Sequence, residues 1–262
     1  MKDLKNKIIA FDIDGTLARN NTFPSDFTIQ TIQRLIKEGY HITLVTGRNY
    51  ISMIDIYQKC HLNSVCVLCN GALVYHPTTH EKLKNITIPF AILRNLLQDE
   101  ELMDKILDIL VEIDDSTYSL TGKGWNNVNF IGDFNQTLPC EPNSLVFMVK
   151  DPSFQKEVAE IINRNPDYHY RYWSKIGEFY NVHFSKKEGV EVMLDYYHKT
   201  KEDLIFIGDG ENDREIMQYA GFSIAMKNAD ELTKKKANQI TKLTNEEDGA
   251  ILHLLQMIAE NE

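Results

Sequence analysis

The 262 residues are 43% hydrophobic and 25% charged, an ordinary composition for a globular protein with one or two domains. The net charge of −10 and the pI near 5.3 argue against a nucleic-acid partner, which needs a concentrated basic surface. No apolar run approaches the roughly 20 residues of a membrane helix, so we expect a cytoplasmic protein with no membrane partner.

The first predicted element is the apolar run Ile8 to Phe11, which closes on Asp12-Ile13-Asp14-Gly15-Thr16-Leu17. A short apolar run before a glycine turn is typical of a buried parallel strand that ends at a cleft. Asp12 and Asp14 could share one face of the strand until the turn at Gly15 separates their directions. Taken alone, the pattern fits a polar strand-end turn equally well.

Helices and strands alternate after this turn. Ser25 is placed to cap a helix. The strand Ile42 to Val45 then closes on Thr46-Gly47-Arg48, and the strand Val65 to Cys69 closes on Asn70-Gly71. This alternation predicts a βαβ sheet with right-handed crossovers.

Two of the four cysteines, Cys66 and Cys69, have the C-x-x-C spacing of some metal and redox sites. They lie in an apolar run that reads as a strand, where residues three apart point to opposite faces. Such a pair cannot close a zinc site or form a dithiol, so we expect buried structural thiols.

The pattern changes from about Lys82 to Phe184, where helices mix with strands of period two, as in an α+β unit. Pro89 is placed to start one helix. The remaining predictions here are helices over Glu100 to Ile113 and Ser153 to Asn163, and strands over Leu145 to Val149 and Tyr168 to Trp173.

The sheet rhythm resumes after Phe184, with a helix predicted from about Lys187 to His198. The strand Leu204 to Ile207 leads into the acidic loop Gly208-Asp209-Gly210-Glu211-Asn212-Asp213. A helix, the strand Phe222 to Met226 and a terminal helix complete the unit. The middle segment is therefore inserted into a sheet domain.

Polar side chains at the predicted strand ends should meet at one edge of the sheet: Asp12, Asp14, Thr46, Asp209 and Asp213. Several carboxylates so close repel one another, and either protons or a divalent cation must relieve this. Oxygen ligands without paired His or Cys select a hard cation such as Mg²⁺. Magnesium, a hydroxyl, a lysine and glycine turns are typical of phosphoryl transfer. The motifs G-x-S-x-G and H-E-x-x-H are absent from the sequence.

Four segments resemble, in order, the motifs of the haloacid dehalogenase superfamily: Asp12 to Leu17, Thr46-Gly47-Arg48, a lysine near 186, and Gly208 to Asp213. The fuller match is to its Cof-type sugar-phosphatase-like branch, through Asn70-Gly71-Ala72, Ala220 to Ala229 and Glu247-Asp248-Gly249. The likeness covers both sheet segments almost end to end and is weak across the insert.

The resemblance implies an α/β fold with a Rossmann-like parallel-sheet core, formed by residues 1–82 and 185–262. It also implies an α+β cap at residues 83–184, of the type IIB that is inserted between the second and third motifs and governs substrate specificity. The spacing agrees, because the chain between Arg48 and Lys186 is far longer than the roughly 30 residues of a βαβ unit.

The resemblance further implies a Mg²⁺-dependent phosphomonoester hydrolase that acts on a small phosphorylated metabolite, such as a sugar phosphate, through an aspartyl phosphate. Asp12 would be the nucleophile and Asp14 the general acid and base. The phosphate ligands would be Ile13, Thr46, Gly47, Lys186 and Asn212, of which Thr46 and Lys186 also take part in catalysis. The metal ligands would be Asp12, the Asp14 backbone carbonyl, Asp209 and Asp213, the last directly or through water.

Some assignments have alternatives. The branch usually has Lys-Gly at the third motif, whereas this chain has Ser185-Lys186-Lys187-Glu188; counting back without gaps from Asp209 selects Lys186 over Lys187. Asn212 fits either a phosphate contact or a helix cap. For Arg48 we expect a surface or helix-start role rather than a substrate contact.

Two other functions fit the same motifs. A phosphomutase would use this machinery to move phosphate between sugar positions. A binding or regulatory module would keep the fold without turnover, and magnesium-dependent release of phosphate from an aryl phosphate would exclude it.

Overall fold

The computed structural model describes residues 4–20, 22–113, 116–125, 129–130 and 138–261. In this part of the chain the strands are β1 (Ile8–Phe11), β2 (His41–Leu44), β3 (Cys66–Leu68), β4 (Leu73–His76), β5 (Glu81–Asn85), β6 (Ile106–Ile113), β7 (Ser116–Ser119), β8 (Asn129–Phe130), β9 (Ser144–Val149), β10 (Tyr168–Trp173), β11 (Ile176–Asn181), β12 (Leu204–Gly208), β13 (Phe222–Ala225) and β14 (Gln239–Ile240).

The α-helices are α1 (Asp26–Lys37), α2 (Tyr50–Lys59), α3 (Phe90–Gln98), α4 (Glu100–Met103), α5 (Gln155–Ile162), α6 (Lys186–Tyr196), α7 (Arg214–Tyr219), α8 (Glu231–Lys234) and α9 (Gly249–Asn261). Short 3-10 turns cover Leu4–Asn6, Cys69–Gly71, Pro152–Phe154, Lys201–Asp203, Glu211–Asp213 and Asn245–Glu247. Among the residues described, no helix has the length and apolar character that crossing a membrane requires.

The chain forms two compact units. The first takes in the described residues of Met1–Arg48, Ser52–Lys84 and Ser185–Glu262, and the second takes in those of Asn49–Ile51 and Asn85–Phe184.

A five-stranded parallel sheet, in the order β14-β13-β12-β1-β2, forms the centre of the first unit. All four residues of β1 are buried, which explains why this central strand reads as a continuous apolar run. Phe11 pairs with Leu44 on one side and with Ile207 on the other. The residues that follow these three strands therefore lie at the same edge of the sheet.

Local sequence signals position the elements around this sheet. The Ser25 side chain caps α1 as predicted, since its Oγ accepts a hydrogen bond from the Thr28 backbone N–H. After β3 the chain turns sharply through Asn70 and Gly71, whose φ angles are 53° and 96°. Cys66 and Cys69 are buried free thiols, as expected.

The second unit contains a six-stranded sheet in the order β10-β11-β9-β6-β7-β8. Its neighbouring strands are antiparallel, except for the parallel pair β7 and β8. One face carries a core of buried aliphatic and aromatic side chains, including Val111, Phe147, Tyr168, Tyr170 and Phe179. The expected combination of a parallel-sheet core and an α+β unit is confirmed.

The helix predicted over Glu100 to Ile113 is wrong. Only Glu100–Met103 is helical, and Ile106–Ile113 forms β6, between β9 and β7 in the sheet. The Leu and Ile spacing in this segment fits a helical face, but it also alternates well enough for a strand. Pairing with two neighbouring strands decides in favour of the sheet.

Candidate active site

Three polar side chains follow the strands that meet at the edge of the parallel sheet. Asp12 comes directly after β1, Thr46 lies two residues beyond β2, and Asp209 comes directly after β12. The backbone N–H of Asp12 donates to the Ile207 carbonyl at 2.9 Å, so Asp12 remains fixed to the neighbouring strand. The structure thus brings together the strand ends that the sequence singles out.

Lys186, in the first turn of α6, lies between two carboxylates. Its Nζ donates to Asp12 Oδ1 at 2.9 Å and to Asp213 Oδ1 at 2.7 Å. The side chain of Lys186 has no solvent exposure, and those of Asp12 and Asp213 are 7% and 0% exposed. Lys187, the alternative lysine, is one-third exposed and pairs with Glu191 at 2.7 Å.

Burial dominates the ionisation of this cluster. It raises the pKa of Asp12 well above the usual range, and although Lys186 opposes the shift, Asp213 and Asp209 add to it. Burial, followed by the charge of Asp213, raises the pKa of Asp209 to about 7. Burial alone would lower the pKa of Lys186, but the carboxylates of Asp12 and Asp213 raise it above its usual value.

Asp12, Asp209 and Asp213 form a candidate metal site, because one carboxylate oxygen from each lies within 4.8 Å of the others. With all groups ionised, three carboxylates and one ammonium leave an excess of two negative charges. A divalent cation would cancel that excess, and a donor set of oxygen atoms alone suits a hard cation. The residues present therefore fit such an ion.

The turn after β1 is shaped to admit Asp209. Gly15 has φ +74°, and a Cβ at this position would lie 2.1 Å from Asp209 Oδ2. Thr16 Oγ1 donates to the other oxygen, Asp209 Oδ1, at 2.9 Å. Only glycine permits this close approach of the turn to the carboxylate.

Asp213 differs from the other two carboxylates because protein donors hold both of its oxygens. Oδ1 accepts from Lys186, while Oδ2 accepts from the backbone N–H groups of Asp209 and Gly210 at 3.0 and 2.9 Å. Asp213 thus fixes both the lysine and the loop that carries Asp209, and it has fewer lone pairs to offer a metal ion.

Two backbone N–H groups directly follow Asp12 and Thr46 in the chain, those of Ile13 and Gly47. Among the residues described, neither the Ile13 nor the Gly47 N–H has a protein acceptor. Thr46 is fully buried, and its Oγ1 accepts from the Arg48 N–H at 3.0 Å. Unpaired N–H groups at strand ends are suited to binding an anion.

The Asp14 carboxylate is paired with an arginine, whereas that of Asp12 is paired with a lysine. The two Asp14 oxygens accept from Arg48 Nε at 2.9 Å and from Arg48 Nη2 at 2.6 Å, a bidentate pair. The side chain of Arg48 is only 15% exposed. Of the two roles expected for Arg48, the surface role is wrong, whereas the helix-start role agrees with its bond from Nη1 to the Ser52 carbonyl in the first turn of α2. Sequence alone does not show which carboxylate faces the guanidinium.

Asn212 is not the cap of α7, because the N-cap residue of that helix is Asp213. Asn212 Nδ2 donates to Asn70 Oδ1 at 2.7 Å, and this bond joins the acidic loop to the turn after β3. Another contact was missed from the sequence: Asn228 Nδ2 donates to the Gly15 carbonyl at 2.8 Å. The segment around Asn228 resembles the Cof-type pattern, and that likeness is the signal that could have found the contact.

The pattern of the haloacid dehalogenase-like hydrolases matches residues 9–255. The chain belongs to this family. This hydrolase is 30% identical over 262 residues to the 5-amino-6-(5-phospho-D-ribitylamino)uracil phosphatase YitU of Bacillus subtilis (strain 168), covering 94% of this chain and 96% of that protein. It is 24% identical over 261 residues to the pyridoxal phosphate phosphatase YbhA of Escherichia coli (strain K12), covering 90% and 93%.

A solved haloacid dehalogenase-like hydrolase from Bacteroides thetaiotaomicron has the same fold, with a TM-score of 0.86 at 22% identity over 96% of this chain and 99% of that chain. The family and the fold expected from the motifs are confirmed, and so is the enzyme class, a phosphatase of this superfamily.

Proposed function

We propose that this hydrolase is a Mg²⁺-dependent phosphomonoesterase that acts on a small phosphorylated metabolite through a phosphoryl-aspartate intermediate. The observation that carries the proposal is the buried Asp12 carboxylate, held by Lys186 at 2.9 Å beside two further carboxylates. A lone strand-end turn would not bury an ammonium group between two acids.

In the first step Asp12 attacks phosphorus, and the bond between phosphorus and the leaving-group oxygen breaks. The oxygen that attacks is Oδ2, since Oδ1 accepts from Lys186. The ammonium group fixes the rotation of the carboxylate and offsets negative charge on the phosphoryl group.

The phosphoryl oxygens are held by groups that need no rearrangement. The Ile13 and Gly47 N–H groups, which have no protein acceptor among the described residues, would donate to them. The Thr46 hydroxyl accepts from Arg48 and has its own proton to donate. The Asn212 amide gives one of its two N–H groups to Asn70, and the other would donate to the phosphoryl group.

Asp14 would give a proton to the departing alkoxide and then take one from the water that attacks the phosphoryl-aspartate. The geometry supports different roles for Asp14 and Asp12, because the Asp14 carboxylate is held by Arg48 and its side chain is 42% exposed. The second step regenerates free Asp12 and releases inorganic phosphate.

Asp12, Asp209 and the Asp14 backbone carbonyl would hold Mg²⁺, with Asp213 acting through water because its oxygens already accept three hydrogen bonds. When bound, the ion would neutralise charge on the phosphoryl oxygens and allow Asp12 to stay ionised.

All of the residues given a chemical role lie in the first compact unit. We therefore assign selection of the leaving group to the cap, residues 83–184. The relatives named for ribitylaminouracil phosphate and pyridoxal phosphate support a small phosphorylated metabolite as the substrate. A sugar phosphate is also a small phosphorylated metabolite, and the same screen tests it.

The test is a phosphate-release screen over phosphorylated metabolites and an aryl phosphate, with the Asp12→Asn protein as the blank. We expect release that needs Mg²⁺, stops with a chelator and falls by several orders of magnitude in the blank. Release that continues in the Asp12→Asn protein would contradict the proposal. Isomerisation of a sugar phosphate without free phosphate would instead identify a mutase.

A further inference from the structure

The Arg48 guanidinium is held by several protein acceptors next to Asp14. Its Nε and Nη2 donate to the two oxygens of Asp14, Nη2 also donates to the Thr22 carbonyl at 3.1 Å, and Nη1 donates to the Ser52 carbonyl at 3.1 Å. Each of the three guanidinium nitrogens therefore has a protein acceptor, which fixes the plane of the group.

The backbone of Arg48 is fixed as well. Its N–H donates to Thr46 Oγ1 at 3.0 Å, and its carbonyl accepts from the Cys69 N–H at 3.0 Å. The guanidinium thus extends from a backbone that is held at both its N–H and its carbonyl. A group so engaged is poorly placed to bind substrate, because binding would cost bonds that it already makes.

We propose that Arg48 is a positioning residue for Asp14, an inference that rests on the proposed function of Asp14 as the acid and base. The bidentate pair sets the plane of the Asp14 carboxylate and uses one lone pair on each oxygen. One further lone pair on each oxygen remains for proton exchange with the leaving group or with water. Arg48 orients this carboxylate without touching the reacting atoms.

Replacement of Arg48 should lower kcat, and the size of the loss depends on how much Asp14 contributes to the rate. General acid and base catalysis contributes typically about 10²- to 10⁴-fold to a rate, and a loosened Asp14 keeps part of that contribution. Arg48→Ala should therefore lower kcat on an alkyl phosphate by about 10- to 100-fold, with KM changed by less than about threefold. Arg48→Lys keeps the charge but loses the fork, and it should recover only part of kcat.

The experiment is a double-mutant cycle with Mg²⁺ on an alkyl phosphate, using Arg48→Ala, Asp14→Asn and the double variant. If Arg48 acts through Asp14, then Arg48→Ala should cost less than about threefold once Asp14 is already Asn. Arg34→Ala removes an exposed arginine that lies 3.7 Å from Glu38, and it serves as the matched control with unchanged kcat.

Two failures can be told apart. An equal loss from Arg48→Ala in both backgrounds, or a loss that falls on KM alone, would overturn the positioning role and leave the proposed function intact. An unchanged kcat in Asp14→Asn itself would overturn the proposed role of Asp14. Arg48→Lys serves as the second variant in case Arg48→Ala does not fold. A fully active lysine variant would also contradict the need for the two-pronged guanidinium.

Discussion

Replacement of Lys186 by methionine should destabilise the metal-free protein strongly. Nζ of Lys186 is shared by Asp12 and Asp213, and all three side chains are almost inaccessible to solvent. Removing one partner of a buried ion pair leaves an uncompensated charge and costs about 3–5 kcal/mol. For a protein of this size we expect the Tm to fall by roughly 6–20 °C, at about 2–4 °C per kcal/mol.

Lys187→Met is the matched control, one residue further along the same helix. Lys187 is one-third exposed and pairs with Glu191, so its loss should cost less than about 1 kcal/mol. Thermal unfolding of both variants after treatment with a chelator measures the difference. Equally small falls in Tm for the two variants would refute the view that Lys186 neutralises the buried carboxylates of the site.

Addition of Mg²⁺ provides a second test of how the negative charge of the carboxylates is neutralised. Added Mg²⁺ should raise the Tm of the wild-type protein, because it binds the folded state, and part of the loss in Lys186→Met should be recovered. A wild-type Tm that does not change with Mg²⁺ would contradict a divalent cation site at Asp12, Asp209 and Asp213.

Gly15→Ala should lower Mg²⁺ affinity, since the new methyl group would displace the Asp209 carboxylate; calorimetric titration checks this, and wild-type affinity would refute the steric argument. The pKa of Asp209 is raised to about 7, above its unfolded value, so the folded state binds more protons and metal-free stability should fall as pH rises toward about 7. Chelator-treated Asp209→Asn should lose less Tm than wild type between about pH 4 and pH 7, and equal losses would count against it. Asp14→Asn should retain Mg²⁺ binding yet lose turnover of alkyl phosphates, as titration and phosphate release will show.

The fold could be predicted where one physical signal dominates. β1 reads as a continuous apolar run because both of its faces are buried in a parallel sheet. The meeting of Asp12, Thr46 and Asp209 follows from topology alone, since the carboxyl ends of parallel strands share an edge. These predictions need no knowledge of side-chain direction.

The errors arise where distant parts of the chain decide. Ile106–Ile113 carries Leu and Ile residues at spacings that suit both a helix and a strand, and pairing with β7 and β9 selects the strand. The pairing of Arg48 with Asp14 depends on how the turn at Gly15 directs the carboxylate, which spacing in the sequence does not encode.

The central claim is that Asp12 becomes phosphorylated, and the Asp14→Asn protein tests it most directly. With an aryl phosphate, the first step needs no acid, while the second step lacks its base. Rapid acid quenching should reveal a burst of about one phenol per active site and a phosphoryl group on the peptide that contains Asp12. Linear phenol release with that peptide unmodified would contradict the account.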